Sequence, residues 1–203
     1  MHEFWSALGA AATFFAVIVA LFGDRIRYRL DPPRLKISLK DPLGAAGELH
    51  FFNPDTNEAT KTLGLWHHVQ VESETRWRAV TGVYVYLLSI EVPDASGDFQ
   101  SIWEGASPLG WRHEPGQQPK KIGHPAECDL CHVLKEPLQM RLSPLIKGQI
   151  PDTITGQVKM LFTLQARGSE ADSNVLRIEI SWDGKWSNTR TEMRRNLVVK
   201  MLS

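Results

Sequence analysis

Gln157-Val158-Lys159-Met160-Leu161-Phe162-Thr163-Leu164-Gln165-Ala166-Arg167 and, after a polar linker, Val175-Leu176-Arg177-Ile178-Glu179-Ile180-Ser181-Trp182 are the stretches that decide how this chain folds. In the first, Val158, Met160, Phe162, Leu164 and Ala166 share one side. In the second, Leu176, Ile178, Ile180 and Trp182 do, with Arg177, Glu179, Ser181 and Asp183 opposite. Successive strand side chains point to opposite faces, so a period of two reads as a half-buried strand. The linker at residues 168–174 joins the two as a hairpin, and Asp183-Gly184 is a tight-turn signal. The apolar face, centred on Phe162 and Ile180, is expected in a core, and the Glu179 face in water.

The same alternation runs back toward the start. Leu35, Ile37 and Leu39 alternate with Lys36, Ser38 and Lys40 as a first strand, and residues 48–53 form a second. In a third, residues 65–73, Leu65, His67, Val69 and Val71 share one face and Trp66, His68, Gln70 and Glu72 the other. His67 and His68 therefore point apart and cannot hold one metal together; one reads as a core histidine and the other as exposed. Residues 79–92 are the longest β segment, and a one-residue phase shift after Leu87 predicts a bulge. Residues 99–104 return as a strand, 105–125 read as loop, and 127–145 show no assignable period. A helical turn at 191–195 precedes a last strand at 197–202.

Eight or so strands with regular turn signals predict a mainly β, antiparallel immunoglobulin-like β-sandwich, with a closed barrel as the structural alternative. The strand order resembles immunoglobulin-like and fibronectin-type accessory domains, through Trp66 in an early strand and the paired late strands.

One transmembrane helix is expected before this domain. Residues 4–22 are nineteen residues without a charge, about 28 Å of helix against roughly 30 Å of hydrocarbon. The N-terminal flank, Met1-His2-Glu3, has no Lys or Arg and no small-x-small cleavage site follows, so a cleaved signal peptide fits poorly. Arg25, Arg27, Arg29, Arg34, Lys36 and Lys40 all follow the span, which predicts an N-terminus outside and a C-terminal domain in the cytoplasm of a bacterial inner membrane. Phe4, Trp5 and Phe22 suit the aromatic belts, and Arg25, Arg27 and Arg29 the anionic lipid headgroups. The division is thus an anchor at 1–30 and a β domain at 31–203. The Phe-Gly-Asp-Arg-Ile-Arg exit within residues 21–27 and the Pro-Arg-Leu-Lys-Ile entry at 33–37 resemble uncharacterised bacterial single-span membrane proteins with a cytoplasmic immunoglobulin-like β domain. That resemblance implies no particular activity.

The 23 basic and 23 acidic residues balance, and with the juxtamembrane cations set aside the domain is mildly acidic, which argues against nucleic acid as a partner. Two cysteines offer no disulfide framework. Cys128-Asp129-Leu130-Cys131-His132 matches the Cys-x-x-Cys-His spacing of haem attachment, but that attachment takes place outside the cytoplasm. With His124 or His113 the same residues offer zinc ligands, and alone a redox dithiol; two small, partly buried structural thiols are the expectation, with no cofactor. Arg76, Trp77 and Arg78 form a candidate partner-binding patch. Gly-x-Ser-x-Gly, His-Glu-x-x-His and a phosphate-binding glycine loop are all lacking. The expected function is a membrane-tethered, non-enzymatic binding or scaffold protein engaging a protein partner or itself. The alternatives are an effector or sensor subunit of a stress or phage-defence system, and a Cys/His metal or haem protein.

Overall fold

A computed structural model describes residues 2–53, 58–75, 78–144, 146 and 150–202. In chain order the elements are α1 (His2–Leu30), β1 (Leu35–Leu39), β2 (Ala45–Asn53), β3 (Glu58–Ser73), β4 (Val80–Pro93), β5 (Phe99–Pro108), β6 (Lys120–Ile122), β7 (Ala126–Leu134), β8 (Gln139–Leu142), β9 (Thr153–Ile154), β10 (Val158–Arg167), β11 (Asp172–Trp182), α2 (Arg190–Asn196) and β12 (Leu197–Leu202). They form two compact units, residues 1–33 and 34–203.

The first unit holds α1. Among the described residues no helix is long and apolar enough to cross a membrane, which overturns the expected transmembrane helix.

The second unit is mainly β, and its strands form one curled half-barrel sheet, neither two stacked sheets nor a closed barrel. The path of hydrogen-bonded neighbours runs β5-β4-β10-β11-β1-β3-β7-β8-β9, with β12 on β11, β2 on β3 and β6 on β4. Local pattern predicts the strands but not this continuity, which depends on what covers the second edge of β1. One edge pairs antiparallel with β3, from Leu35↔Ser73 to Leu39↔Val69. The other meets β11 in parallel at Leu35↔Ser173. Beyond that bridge the Asn174 side chain stands in for a strand. Its Oδ1 accepts from the Ile37 N–H at 3.2 Å, and its Nδ2 reaches the Ile37 carbonyl at 3.5 Å. Farther along, the Leu39 N–H lies 3.5 Å from Met201 Sδ. A buried backbone N–H without a partner costs about as much as a lost hydrogen bond, so this seam lets a sandwich-like pattern close into one sheet.

The late hairpin has the expected register, with Met160↔Ile180, Phe162↔Ile178 and Leu164↔Leu176. Phe162, Ile178 and Ile180 are fully buried, in one core with Ile37, Val69, Val85 and Leu87 from both halves of the sheet. The bulge expected after Leu87 is present: Thr163 pairs with Ser89 and Leu164 with Leu87, leaving Leu88 as the extra residue. The opposite face is not simply solvated. Glu179 is buried beside Lys200 at 3.1 Å and Lys159 at 3.7 Å, and Leu161 on that face is buried too. The hairpin's turn is tied to β4, where Glu170 accepts from both the Thr81 N–H and its hydroxyl at 2.7 Å. α2 follows from a capping box: Thr189 accepts from the Glu192 N–H and donates to the Glu192 carboxylate. Of the segments without an expected period, 105–125 contains β6 and 127–145 contains most of β7 and all of β8.

Truncating Asn174 tests the seam. Asn174→Ala should cost about 1–2 kcal/mol in urea unfolding, because the Ile37 N–H loses its acceptor. An unchanged midpoint would show that core packing alone holds β1 in place.

Candidate functional site

The site grows from a single irregularity between β3 and β7. His67 pairs with Cys131 but His68 with Asp129, so Leu130 is an extra residue. Residues three apart in a regular strand face opposite ways. The bulge cancels that rule, placing Cys128 and Cys131 together on the inner face and Asp129 and His132 together on the outer. Opposite them on β3, Trp66 faces His132 and His68 faces Asp129.

On this outer face Trp66 stacks on His132 with ring centroids 5.7 Å apart and planes at 21°. The indole fits because Gly47 and Gly64, directly paired across β2 and β3, have no side chains. A Cβ on Gly64 would stand 2.4 Å from the ring and one on Gly47 3.1 Å. Beside the indole, His68 Nδ1 and Asp129 Oδ1 approach to 2.9 Å, yet their geometry completes no hydrogen bond, and neither His68 nitrogen has a partner in the protein. His68 is 5% exposed and Asp129 38%. Since Asp129 Oδ1 is buried, its other oxygen carries the exposed charge.

These groups wall a cleft of about 390 Å³, completed by the β2 segment Ala45 to Leu49 and by Arg112 and His113. Arg112 is held by the Glu127 carboxylate at 2.6 Å. Glu127 also takes Lys40 at 3.1 Å, and these cations keep its carboxyl below the usual range despite partial burial. His113 has φ 64, a left-handed conformation uncommon outside glycine, in a turn closed by the Glu114 N–H on the Trp111 carbonyl. The turn is anchored to β7 through the Trp111↔Cys128 bridge. Arg112 and His113 also line a second cleft of about 440 Å³ with Lys120, Lys121, His124 and Glu127.

The inner face has a different chemistry. Cys128 and Cys131 are free and buried. Burial pushes the Cys131 thiol up to about 12 and raises Cys128 as well, so both stay protonated and unreactive. His67, 1% exposed, packs against Gly44 with neither nitrogen hydrogen-bonded. Burial, then the neighbouring His68, lowers its pKa to about 4 against the weaker pull of Asp41.

The zinc and haem candidates separate accordingly. Cys128 and Cys131 face the core, His132 stacks on Trp66 on the outer face, and His124 lies exposed in the second cleft. Among the described residues no group of three His, Cys, Asp or Glu side chains is placed to hold a metal. Both His67 and His68 are buried, although one was expected in water. Arg76 and Trp77 of the expected binding patch lie outside the described residues, as do the side chains of Phe4, Trp5 and Arg27; Arg78, Arg25, Arg29 and Phe22 are exposed. The Trp66 cleft had a signal in the sequence, the alternation that puts Trp66 and His68 on one face. Its partners on β7 had none, because the segment shows no assignable period and only the bulge brings Asp129 and His132 to one face.

The state of His67 carries a pH dependence. Above about pH 6.5 the ring is neutral folded or unfolded and adds nothing. Between about 6.5 and 4 the unfolded chain takes up a proton that the native state refuses, so stability falls by about 3 kcal/mol and levels off below. Urea midpoints measured from pH 7 to 4 should fall less steeply for His67→Leu than for the native chain; parallel slopes would contradict this.

Comparison with protein-family models, with curated proteins and with solved structures yields no match, so the chemistry of this site is read from its own geometry.

Proposed function

We propose that the chain is a non-catalytic binding protein whose β domain takes a planar group of its ligand against Trp66, in the cleft between β2, β3 and the Arg112 turn. One observation carries this reading. A half-buried indole, fixed from behind by His132 and two glycines, stands beside the buried, unpartnered His68 and the half-exposed Asp129. Such a mostly preformed, concave mix of aromatic wall and few convergent polar groups is the usual make-up of a small-ligand site. A histidine and a carboxylate also begin a nucleophilic triad, but that chemistry needs an adjacent hydroxyl or thiol. Among the described residues the lining includes no Ser, Thr, Tyr or Cys, and both thiols face the core. Screening the full chain with planar heteroaromatic fragments by ligand-detected NMR should give binders that Trp66→Leu loses. Fragment signals unchanged by that substitution, in a variant that retains its thermal transition, would refute the reading.

We further place the protein at a lipid surface, on the cytoplasmic face of a bacterial inner membrane. This asks for apolar contact and not for a crossing. Phe14, Phe15, Val19 and Leu21 of α1 are each at least 62% exposed, and the exposed Arg25 and Arg29 follow. Apolar side chains with cations beside them favour anionic interfaces, and two unpaired thiols suit a reducing compartment. Flotation with phosphatidylglycerol vesicles should carry the protein upward. The Arg25→Glu, Arg29→Glu double variant should lose preference for them over neutral vesicles. Failure of the native chain to float with either vesicle would exclude lipid association.

A further inference from the structure

The Trp66 cleft and the second cleft adjoin, sharing Arg112 and His113 in their linings, and their charges are opposite. Around Trp66, the carboxylates of Glu48 and Asp129 outnumber the single cation Arg112. In the second cleft Arg112, Lys120 and Lys121 outnumber Glu127, and His124 adds donors. Lys120 is also paired by Glu114, from outside the lining, and Arg112 by Glu127, so the exposed Lys121 and His124 are the groups best able to turn to a ligand. We propose that the two clefts together bind a nucleotide-like ligand: an amino-bearing aromatic ring stacked on Trp66, its N–H groups on Asp129 and His68, joined to a phosphate held beside Lys121 and His124. This rests on the binding role proposed for the Trp66 cleft and names its ligand class.

The polarity of each cleft matches one end of such a ligand. An indole face attracts any planar ring, but the acceptors beside it select among rings. Asp129 presents a carboxylate oxygen that accepts only, so a ring edge carrying N–H donors is favoured over one carrying carbonyl oxygens alone. His68 Nδ1 meets Asp129 without completing a hydrogen bond and Nε2 has no hydrogen-bond partner in the protein, so the ring carries a desolvation cost that a hydrogen-bonding ring edge would relieve. That side disfavours an anion, because Asp129 would repel it and Arg112, the one Lys or Arg of its lining, is already paired by Glu127. The anion is accommodated only across Arg112, where lysine and histidine side chains from β6 and the segment after it converge. His113 holds its left-handed turn at the junction, and a glycine there would keep the backbone while removing the shared side chain.

The test is calorimetric titration of the full chain with the monophosphates of adenosine, guanosine and cytidine, with the parent nucleosides, and with inorganic phosphate. At least one monophosphate should bind, roughly tenfold or more tightly than both its nucleoside and inorganic phosphate. Lys121→Glu should weaken the monophosphate by roughly tenfold and leave the nucleoside unchanged, whereas Asp129→Asn should weaken both. Both substitutions are at exposed or half-exposed positions, and the retained thermal transition of each variant controls for folding. No monophosphate binding up to about 5 mM, or binding indifferent to Lys121→Glu, overturns the proposal. If heteroaromatic fragments still bind at Trp66 in that event, the ligand class is wrong and the binding role stands; if they too fail, both fall.

Discussion

Every part of the β domain depends on the pairing of the second edge of β1. Five residues long, β1 joins the hairpin half of the sheet to the half built on β3, and only one backbone bridge to β11 is available to it. The Asn174 side chain and the Met201 sulfur complete the row of partners. Without them the Ile37 and Leu39 N–H groups would be left bare beside a core that admits no water, and the two halves would be better off as separate layers. The curl of the sheet follows, since a continuous twisted sheet that buries one face can do so only by wrapping that face around itself.

A second irregularity, one extra residue in β7, then converts a structural sheet into a surface with chemistry. Had β7 paired with β3 without interruption, one of the two cysteines would have faced out and one of Asp129 and His132 would have faced in. With Leu130 inserted, the thiols become inert core atoms, and the polar pair comes to lie beside Trp66 on the outer face. Bulges re-aim side chains at the cost of a local break in the ladder, and here the break separates what is buried for stability from what is presented for binding. Gly47 and Gly64 complete the arrangement by leaving room for the indole, whose ring a side chain at either position would meet.

How much of this could be read from the chain alone follows from the range of the interactions involved. The β10 and β11 hairpin, the bulge after Leu87 and the capped turn before β12 are local, and alternation or turn chemistry reveals them. The sandwich expectation failed because sheet continuity is a matter of which distant edges meet, and the 35–39 segment reads the same whether or not Asn174 reaches it. Similarly, alternation sets His67 and His68 on opposite faces but is silent on whether both faces are covered. On the outer face His68 is nonetheless buried, in the wall of the cleft that β2 and the Arg112 turn complete. Glu179 was assigned to water for the same reason, though two lysines and Leu161 enclose it. For α1 the uncharged run of the sequence suggested a crossing, while the helix as described falls short of one.

The seam also sets an order of assembly during synthesis. Ile37 and the Asn174 side chain that completes its pairing are 137 residues apart, whereas β3, on the other edge of β1, is finished soon after β1 leaves the ribosome. At about 5–20 residues per second, several seconds separate the two events. Throughout that interval the nascent chain carries a half-built sheet whose β1 edge is unpaired, the kind of template on which foreign strands add. Lys36 on β1 and Lys40 just after it keep that edge charged while it waits, so the residues that guard the strand in the unfinished chain are the same ones that face solvent in the finished protein.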